Sequence, residues 1–191
     1  MKLTYDMIQN IVNDLIDNTL SSGMVFKKFN LDKDSILNLI IDFLNESIQK
    51  KDADMLDCIV YIIFYFDLSS EPLLDIYDHL LLEKWHYKHE DLVTLIDPYR
   101  SEKSLAYLYK AATMRFEYLM YDDDITFALA SKCIWTIGNI GTHNAQKYLM
   151  KLAQCDNIVI ADKARRQLTV MNKKNDDVAG GDGHNINYNN F

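Results

Sequence analysis

Lys132–Leu168 reads KCIWTIGNIGTHNAQKYLMKLAQCDNIVIADKARRQL, and this stretch decides the fold. A helix through Ala128, Leu129, Lys132, Cys133, Trp135 and Ile137 leads into it, and Gly138 and Gly141 are expected to close that helix. Thr142 or His143 then opens a second helix through Ala145, Leu149 and Leu152. Asp156-Asn157 opens a third through Ile160, Ala161, Ala164 and Leu168. Small residues recur where helices must approach closely: Ala128, Ala130, Cys133, Ala145, Ala153, Ala161 and Ala164. The longer Leu and Ile side chains fill the gaps between them.

Two internal matches extend this pattern. Tyr107-Leu-Tyr-Lys-Ala-Ala112 matches Tyr148-Leu-Met-Lys-Leu-Ala153 at an offset of 41 residues. Ile125–Ile137 matches Asp156–Leu168, with Cys133 over Ala164, Ile137 over Leu168, and a lysine before each small residue. Helix pairs repeating every ~30 to 45 residues indicate a stacked array in which each pair buries its face on the next.

Working back towards the amino end, Leu3, Met7, Ile8, Ile11, Val12, Leu15, Ile16 and Thr19 keep helical spacing until Gly23. After Asp32 and Asp34, a helix capped by Asp34 or Ser35 runs through Ile36, Leu37, Ile40, Leu44 and Ile48 to Lys50-Lys51. The segment Asp52–Leu68 is rich in β-branched and aromatic residues and could form a buried strand. Met55, Leu56, Ile59, Val60, Ile63 and Phe64 nevertheless hold a helical face, and no partner strand is visible, so a helix is expected. Pro72 suits the first turn of a helix through Leu73, Leu74, Tyr77, Leu80 and Leu81, ending near Trp85. A short helix over Tyr87–Ile96 stops at Asp97-Pro98, and another follows from Ser101 through Leu108 to Ala111-Ala112. The Asp122–Asp124 run then precedes the helix described above.

The fold expected is therefore all-α, with one domain over residues 1–171 and a disordered polar tail over 172–191. Only two prolines and six glycines leave little of the turn chemistry that an all-β chain needs. The longest apolar run, Cys58–Phe66 (CIVYIIFYF), is about half of the ~20 residues a membrane helix requires, and Asp54, Asp57 and Asp67 bracket it. Asp6 stands where a secretory signal would be apolar, so no membrane association and a cytoplasmic site are expected. Cys58, Cys133 and Cys155 lack disulfide or zinc spacing and are expected as buried thiols.

Charge is uneven. Residues 1–100 hold 18 Asp and Glu against 9 Lys and Arg, whereas 101–191 hold 10 against 11. An acidic surface repels phosphate backbones and attracts cationic proteins, which disfavours direct nucleic-acid binding.

Lys132–Leu168 resembles HEAT repeats of the phycobilisome-lyase type, in its small-residue helix, its glycine break, its Ala-x-x-x-Leu second helix and the Asp before the third. Upstream, Trp85-His86-Tyr-Lys-His89-Glu90-Asp91-Leu-Val, Asp97-Pro98 and Leu-Tyr-Lys-Ala resemble bacterial HEAT-like immunity proteins of polymorphic and contact-dependent growth-inhibition toxin systems. The resemblance covers roughly residues 75–170 and implies a short right-handed α-α superhelix of about nine helices.

Catalytic apparatus is not evident: no phosphate loop, nucleophile elbow or paired catalytic carboxylates stand out, and no enzyme, cofactor or metal is expected. His86-x-x-His89-Glu90 has metal-like spacing without a third ligand, and reads as a first-turn cluster that satisfies backbone groups while Trp85 packs a helix junction. Lys163, Arg165 and Arg166 are cations expected near a helix carboxyl end, and the lone Gly-Gly-Asp-Gly cannot build a calcium repeat.

These features point to an immunity protein that occludes a cognate secreted toxin domain, expected to be a basic nuclease. Asp42, Glu46, Asp75, Asp78 and Glu83 are the candidate partner-binding carboxylates, with Asp122, Asp123 and Asp124 a further group beyond their capping role. An adaptor for an endogenous protein, and a chaperone of the bilin-lyase type, are the alternatives.

Overall fold

The computed structural model describes residues 4–17, 19, 21, 24, 33–119 and 127–180. Among the described residues there are nine α-helices and no strand, as the low glycine and proline content requires. The chain divides into two compact units, Met1–Leu95 and Ile96–Phe191, where the sequence pattern suggested one domain.

In the first unit, α1 spans Tyr5–Ile16, α2 Lys33–Lys50, α3 Ala53–Tyr65, α4 Glu71–Leu80 and α5 His89–Ile96. Thr4 caps α1 by accepting the Met7 amide hydrogen at 3.4 Å, and Asp52 caps α3 by accepting that of Met55 at 2.9 Å. Between α2 and α3 the chain turns through Lys51 at φ 52°, a left-handed residue of the kind that ends a helix. The ambiguous segment Asp52–Leu68 is helical because its apolar residues serve one continuous face: Met55, Leu56, Ile59, Val60, Ile62 and Ile63 are all buried. Each such side chain contributes about 1.5–3 kcal/mol by leaving water. Helix α3 is the hub of the unit, with α1 and α2 packed against it, while α4 packs on α2. Helix α4 ends at Leu80, before the Trp85 expected from the sequence, because the chain must turn there to deliver His86. The expected stop at Gly23 lies outside the described residues.

The second unit contains α6 (Leu105–Thr113), α7 (Ala128–Ile140), α8 (His143–Leu152) and α9 (Ile158–Gly180), with 3-10 turns at Asp97–Tyr99, Glu102–Ser104 and Glu117–Leu119. Helix α7 packs against α6, α8 and α9, and α8 also packs against α6 and α9. Some of the residues matched in the internal repeats share their burial, although Ile137 is buried and Leu168 only half-buried. Leu108 and Leu149 are buried, as are Cys133 and Ala164. Polar ties join positions 42 residues apart: the Asn139 amide donates to Asp97 at 2.9 Å, and the Asn144 amide donates to Glu102 at 3.2 Å. The carboxyl of Glu102 is held below its usual range, first by a hydrogen bond from Thr142 and then by the one from Asn144.

Gly138 does not close α7, as its spacing suggested. It lies inside the helix, fully buried, where α7 meets α9. A Cβ at this position would stand 2.6 Å from the Gln167 side-chain carbonyl carbon. Gly141, at φ 74°, is the residue that terminates the helix. Helix α9 runs to Gly180, past the point near residue 172 where a tail was expected. Once a helix is nucleated by packed residues such as Ala161 and Ala164, each further turn costs little, so polar composition alone does not end it. Residues 181–191 of that expected tail lie outside the described set.

Replacing Gly138 with Ala gains helix propensity but forces the buried Gln167 side chain to move. A net loss of about 1–3 kcal/mol is expected. Urea denaturation checks it: unchanged or increased stability of Gly138→Ala would mean that α7 and α9 are not in this close contact.

Candidate partner-binding surface

The sequence candidates separate by helical phase. Asp42 is exposed on α2, and Glu46, one turn later, is half-exposed and held by Lys50 at 2.6 Å. Asp75 is exposed on α4, and Glu83 is exposed just beyond it. Asp78 is different: it is 2% exposed, so it cannot contribute a surface carboxylate. Leu74, Tyr77 and Leu81 share its buried face, at the i−4, i−1 and i+3 positions. This placement was available from helical spacing and corrects its selection on charge alone. Asp122, Asp123 and Asp124 lie outside the described residues.

Glu83 is positioned by the connection between α4 and α5. His86 Nε2–H donates to the Leu80 carbonyl at 2.9 Å, and His89 Nε2–H donates to the Glu83 carbonyl at 2.7 Å. His86 Nδ1 accepts the Lys88 amide hydrogen at 3.1 Å, which fixes this ring as the neutral tautomer. The two imidazoles stack with centroids 4.3 Å apart, and the edge of Trp85 meets His86 at 5.0 Å. Both histidines are wholly buried. The metal-like spacing thus serves the chain's own carbonyls, and among the described residues no group of three possible ligands gathers to hold an ion. Burial pushes both imidazoles below their ordinary range, and the neighbouring His86 helps to bring His89 down to about 4.

Lys88, beside this junction, pairs with Asp57 of α3 and with Asp91 of α5 at 3.5 Å. The short connection is therefore tied to the hub helix. Of the three cysteines, Cys133 is buried and Cys58 and Cys155 are half-buried, none in a disulfide.

Sequence reading missed a set of aromatic residues. Phe64 and Tyr65, on the last turn of α3, remain 43% and 40% exposed, and Ile16 at the end of α1 remains 54% exposed. Tyr61 stacks on Tyr65 at 6.0 Å, and Phe66 meets Tyr65 edge-on at 5.2 Å. Phe64 was assigned to the helical core face, but Ile59, Val60, Ile62 and Ile63 already fill that face, so its ring is left outside. Trp135 on α7 is also exposed.

Charge follows the structural division. Met1–Leu95 carries 17 acidic and 8 basic residues, a formal −9, while Ile96–Phe191 carries 11 and 12, a formal +1. No helix among the described residues is long and apolar enough to cross a membrane. Compared with protein-family models, curated proteins and solved structures, the chain matches none.

The histidine junction makes stability depend on pH with a definite sign. The folded state resists protonating His89, whose value falls from 6.5 to about 4, so stability is complete above pH 6.5 and declines as pH falls towards 4. The expected loss between pH 7.5 and 5 is about 2 kcal/mol for this residue. Urea denaturation at the two values, combined with NMR titration of the His89 ring, measures it. A His89 midpoint near the ordinary histidine value would remove the argument.

Proposed function

We propose that this chain is a cytoplasmic immunity protein, a binding protein that neutralises a cognate secreted toxin domain by covering its active site or substrate groove. The observation that carries this reading is the concentration of a formal −9 on one compact unit beside an essentially neutral one. A surface of that sign accelerates encounter with a cationic protein and imitates the polyanionic substrate of a basic nuclease. Asp42, Asp75 and Glu83 present exposed carboxylates on this unit, and the histidine junction fixes the backbone that carries the last of them.

A HEAT-like superhelix is the architecture we propose for the array. Its support comes from the resemblance of Lys132–Leu168 to such repeats and from the second unit, where matched helices α6 and α8, and α7 and α9, pack against each other. Stacked helix pairs suit a binding protein because they offer a long surface made of separate helix faces. A nanomolar complex needs about 12 kcal/mol and typically buries about 1,600 Å².

Protection of cells provides the test. A secreted toxin domain sought in the reading frame next to this gene is induced with and without the chain, and the two proteins are co-purified. Survival with a stable 1:1 complex is expected. Asp42→Asn, Asp75→Asn and Glu83→Gln together are expected to slow association about 10-fold at low salt, with a smaller effect at high salt. Death at the control rate, with no complex recovered, refutes the proposal for that toxin.

A further inference from the structure

We propose that the exposed carboxylates and rings of α3 and its carboxyl end, from Asp54 to Asp67, form a docking site for a cationic amphipathic segment of a partner protein, with Phe64 and Tyr65 as its apolar anchor. This rests on the reading of the acidic unit as a partner-binding module, and it names the place on that unit where contact is made.

The stripe follows from helix geometry. Asp54, Asp57, Phe64 and Tyr65 recur at i, i+3, i+10 and i+11, away from the buried face of α3, and all four are exposed, while Tyr61 between them is half-buried against α1. The opposite side carries Leu56, Ile59, Val60 and Ile63, all buried in the unit. Two of the aromatic rings are therefore surplus to the core: Phe64 and Tyr65 stay 43% and 40% exposed although the helix is otherwise well packed. The Tyr65 ring is already ordered, because it lies between Tyr61 and Phe66, at 6.0 and 5.2 Å. Tyr61 and Phe66 in turn pack on the buried pair Ile11 and Leu15 of α1, which brings the exposed Ile16 to the same end of α3. Rings held in this way lose little rotamer freedom on binding, and aromatic residues at such positions supply most of an interface's energy.

The surrounding charge selects the occupant. Asp54 and Asp57 lie on the stripe two to three turns before the rings, and Asp67 follows them in a left-handed turn at φ 49°. Asp57 keeps 60% of its side chain exposed even while paired with Lys88. A second copy of the same unit would bring another formal −9 against these acids, and a nucleic acid would bring phosphates. A helix of the partner with Lys or Arg about 11 Å from a large apolar residue fits both ends of the stripe, a separation of about seven residues at 1.5 Å each.

A synthetic probe isolates this chemistry. An 18-residue amphipathic peptide with arginines seven positions from a tryptophan is titrated into the full chain by calorimetry and by two-dimensional NMR. Versions with Glu for Arg and with Ala for Trp serve as controls. Saturable binding is expected, at least 10-fold tighter than either control, with shifts centred on Tyr61, Phe64, Tyr65 and Ile16. Phe64→Ala with Tyr65→Ala is expected to weaken it 10-fold or more while the thermal midpoint changes little. Asp54→Asn with Asp67→Asn, which leave the Lys88 pair intact, are expected to reduce its salt dependence. The NMR map of the unaltered chain decides the matter if the double alanine variant does not fold. Shifts centred on another surface, equal binding by a folded double variant, or self-association that Tyr65→Ala abolishes would each overturn the proposal. Toxin protection separates the two readings: a chain that binds the probe through α3 but protects against no toxin loses only the immunity function. Protection that survives in a folded Phe64→Ala, Tyr65→Ala variant loses only the docking stripe.

Discussion

A helix of 8 to 13 residues, the length of α1 and of α3 to α8, has too few hydrogen bonds to offset the cost of its own nucleation in water. Each of these helices depends on burying one apolar face against a neighbour. That constraint explains why small residues stand at the closest approaches and why Gly138 sits inside α7 instead of at its end. The space a Cβ would occupy is taken by Gln167, so α7 and α9 meet nearly backbone to side chain. Gln167 is buried there, and overpacking at this contact would be felt by both helices.

The same dependence sets the form of the connection between α4 and α5. In the turn after Leu80 two buried imidazoles donate to backbone carbonyls: His86 to that of Leu80, which also accepts the Glu83 amide hydrogen at 2.9 Å, and His89 to that of Glu83. Neutral histidine can donate one hydrogen without bringing a full charge into the interior, which lysine or arginine could not do. The cost is acid sensitivity, since protonation would place charge on rings stacked 4.3 Å apart. Lys88 meets its charge requirement at the edge of this junction, where Asp57 and Asp91 stand within reach.

Helix identity was legible in the sequence wherever a 3.6-residue period ran long enough, and even in Asp52–Leu68 the helical spacing of Met55, Leu56, Ile59, Val60 and Ile63 outweighed its β-branched and aromatic composition. Boundaries were less legible. Gly138 has the composition of a stop but the environment of a packing contact, and that distinction depends on Gln167, 29 residues away. The polar stretch after Asn172 reads as unfolded in isolation, whereas an existing helix extends through it to Gly180. The division at Leu95–Ile96 left a trace in the charge distribution near residue 100, although no glycine or serine linker marks it. For the surface, charge identified Asp42, Asp75 and Glu83 as exposed carboxylates but misplaced Asp78, whose phase puts it with Leu74 and Tyr77. Phe64 has the spacing of the core face and Tyr65 stands next to it, and exposed aromatic residues look like core ones until the core has been filled.

Gathering a formal −9 into 95 residues works against folding, since like charges repel within a compact unit. Local pairs relieve part of this: Lys50 holds Glu46, and Lys88 lies between Asp57 and Asp91. Both arrangements are partly exposed and contribute modestly, so most of the repulsion remains in the isolated protein. A cationic partner would remove it at the moment of binding, and the gain would add to whatever the apolar contacts provide. On this argument acidity and exposed aromatic surface belong to one device. Carboxylates alone give fast but salt-sensitive encounter, and rings alone give adhesion with little choice of partner. Placed along one side of α3, the carboxylates set which sequences approach and the rings set how long they stay.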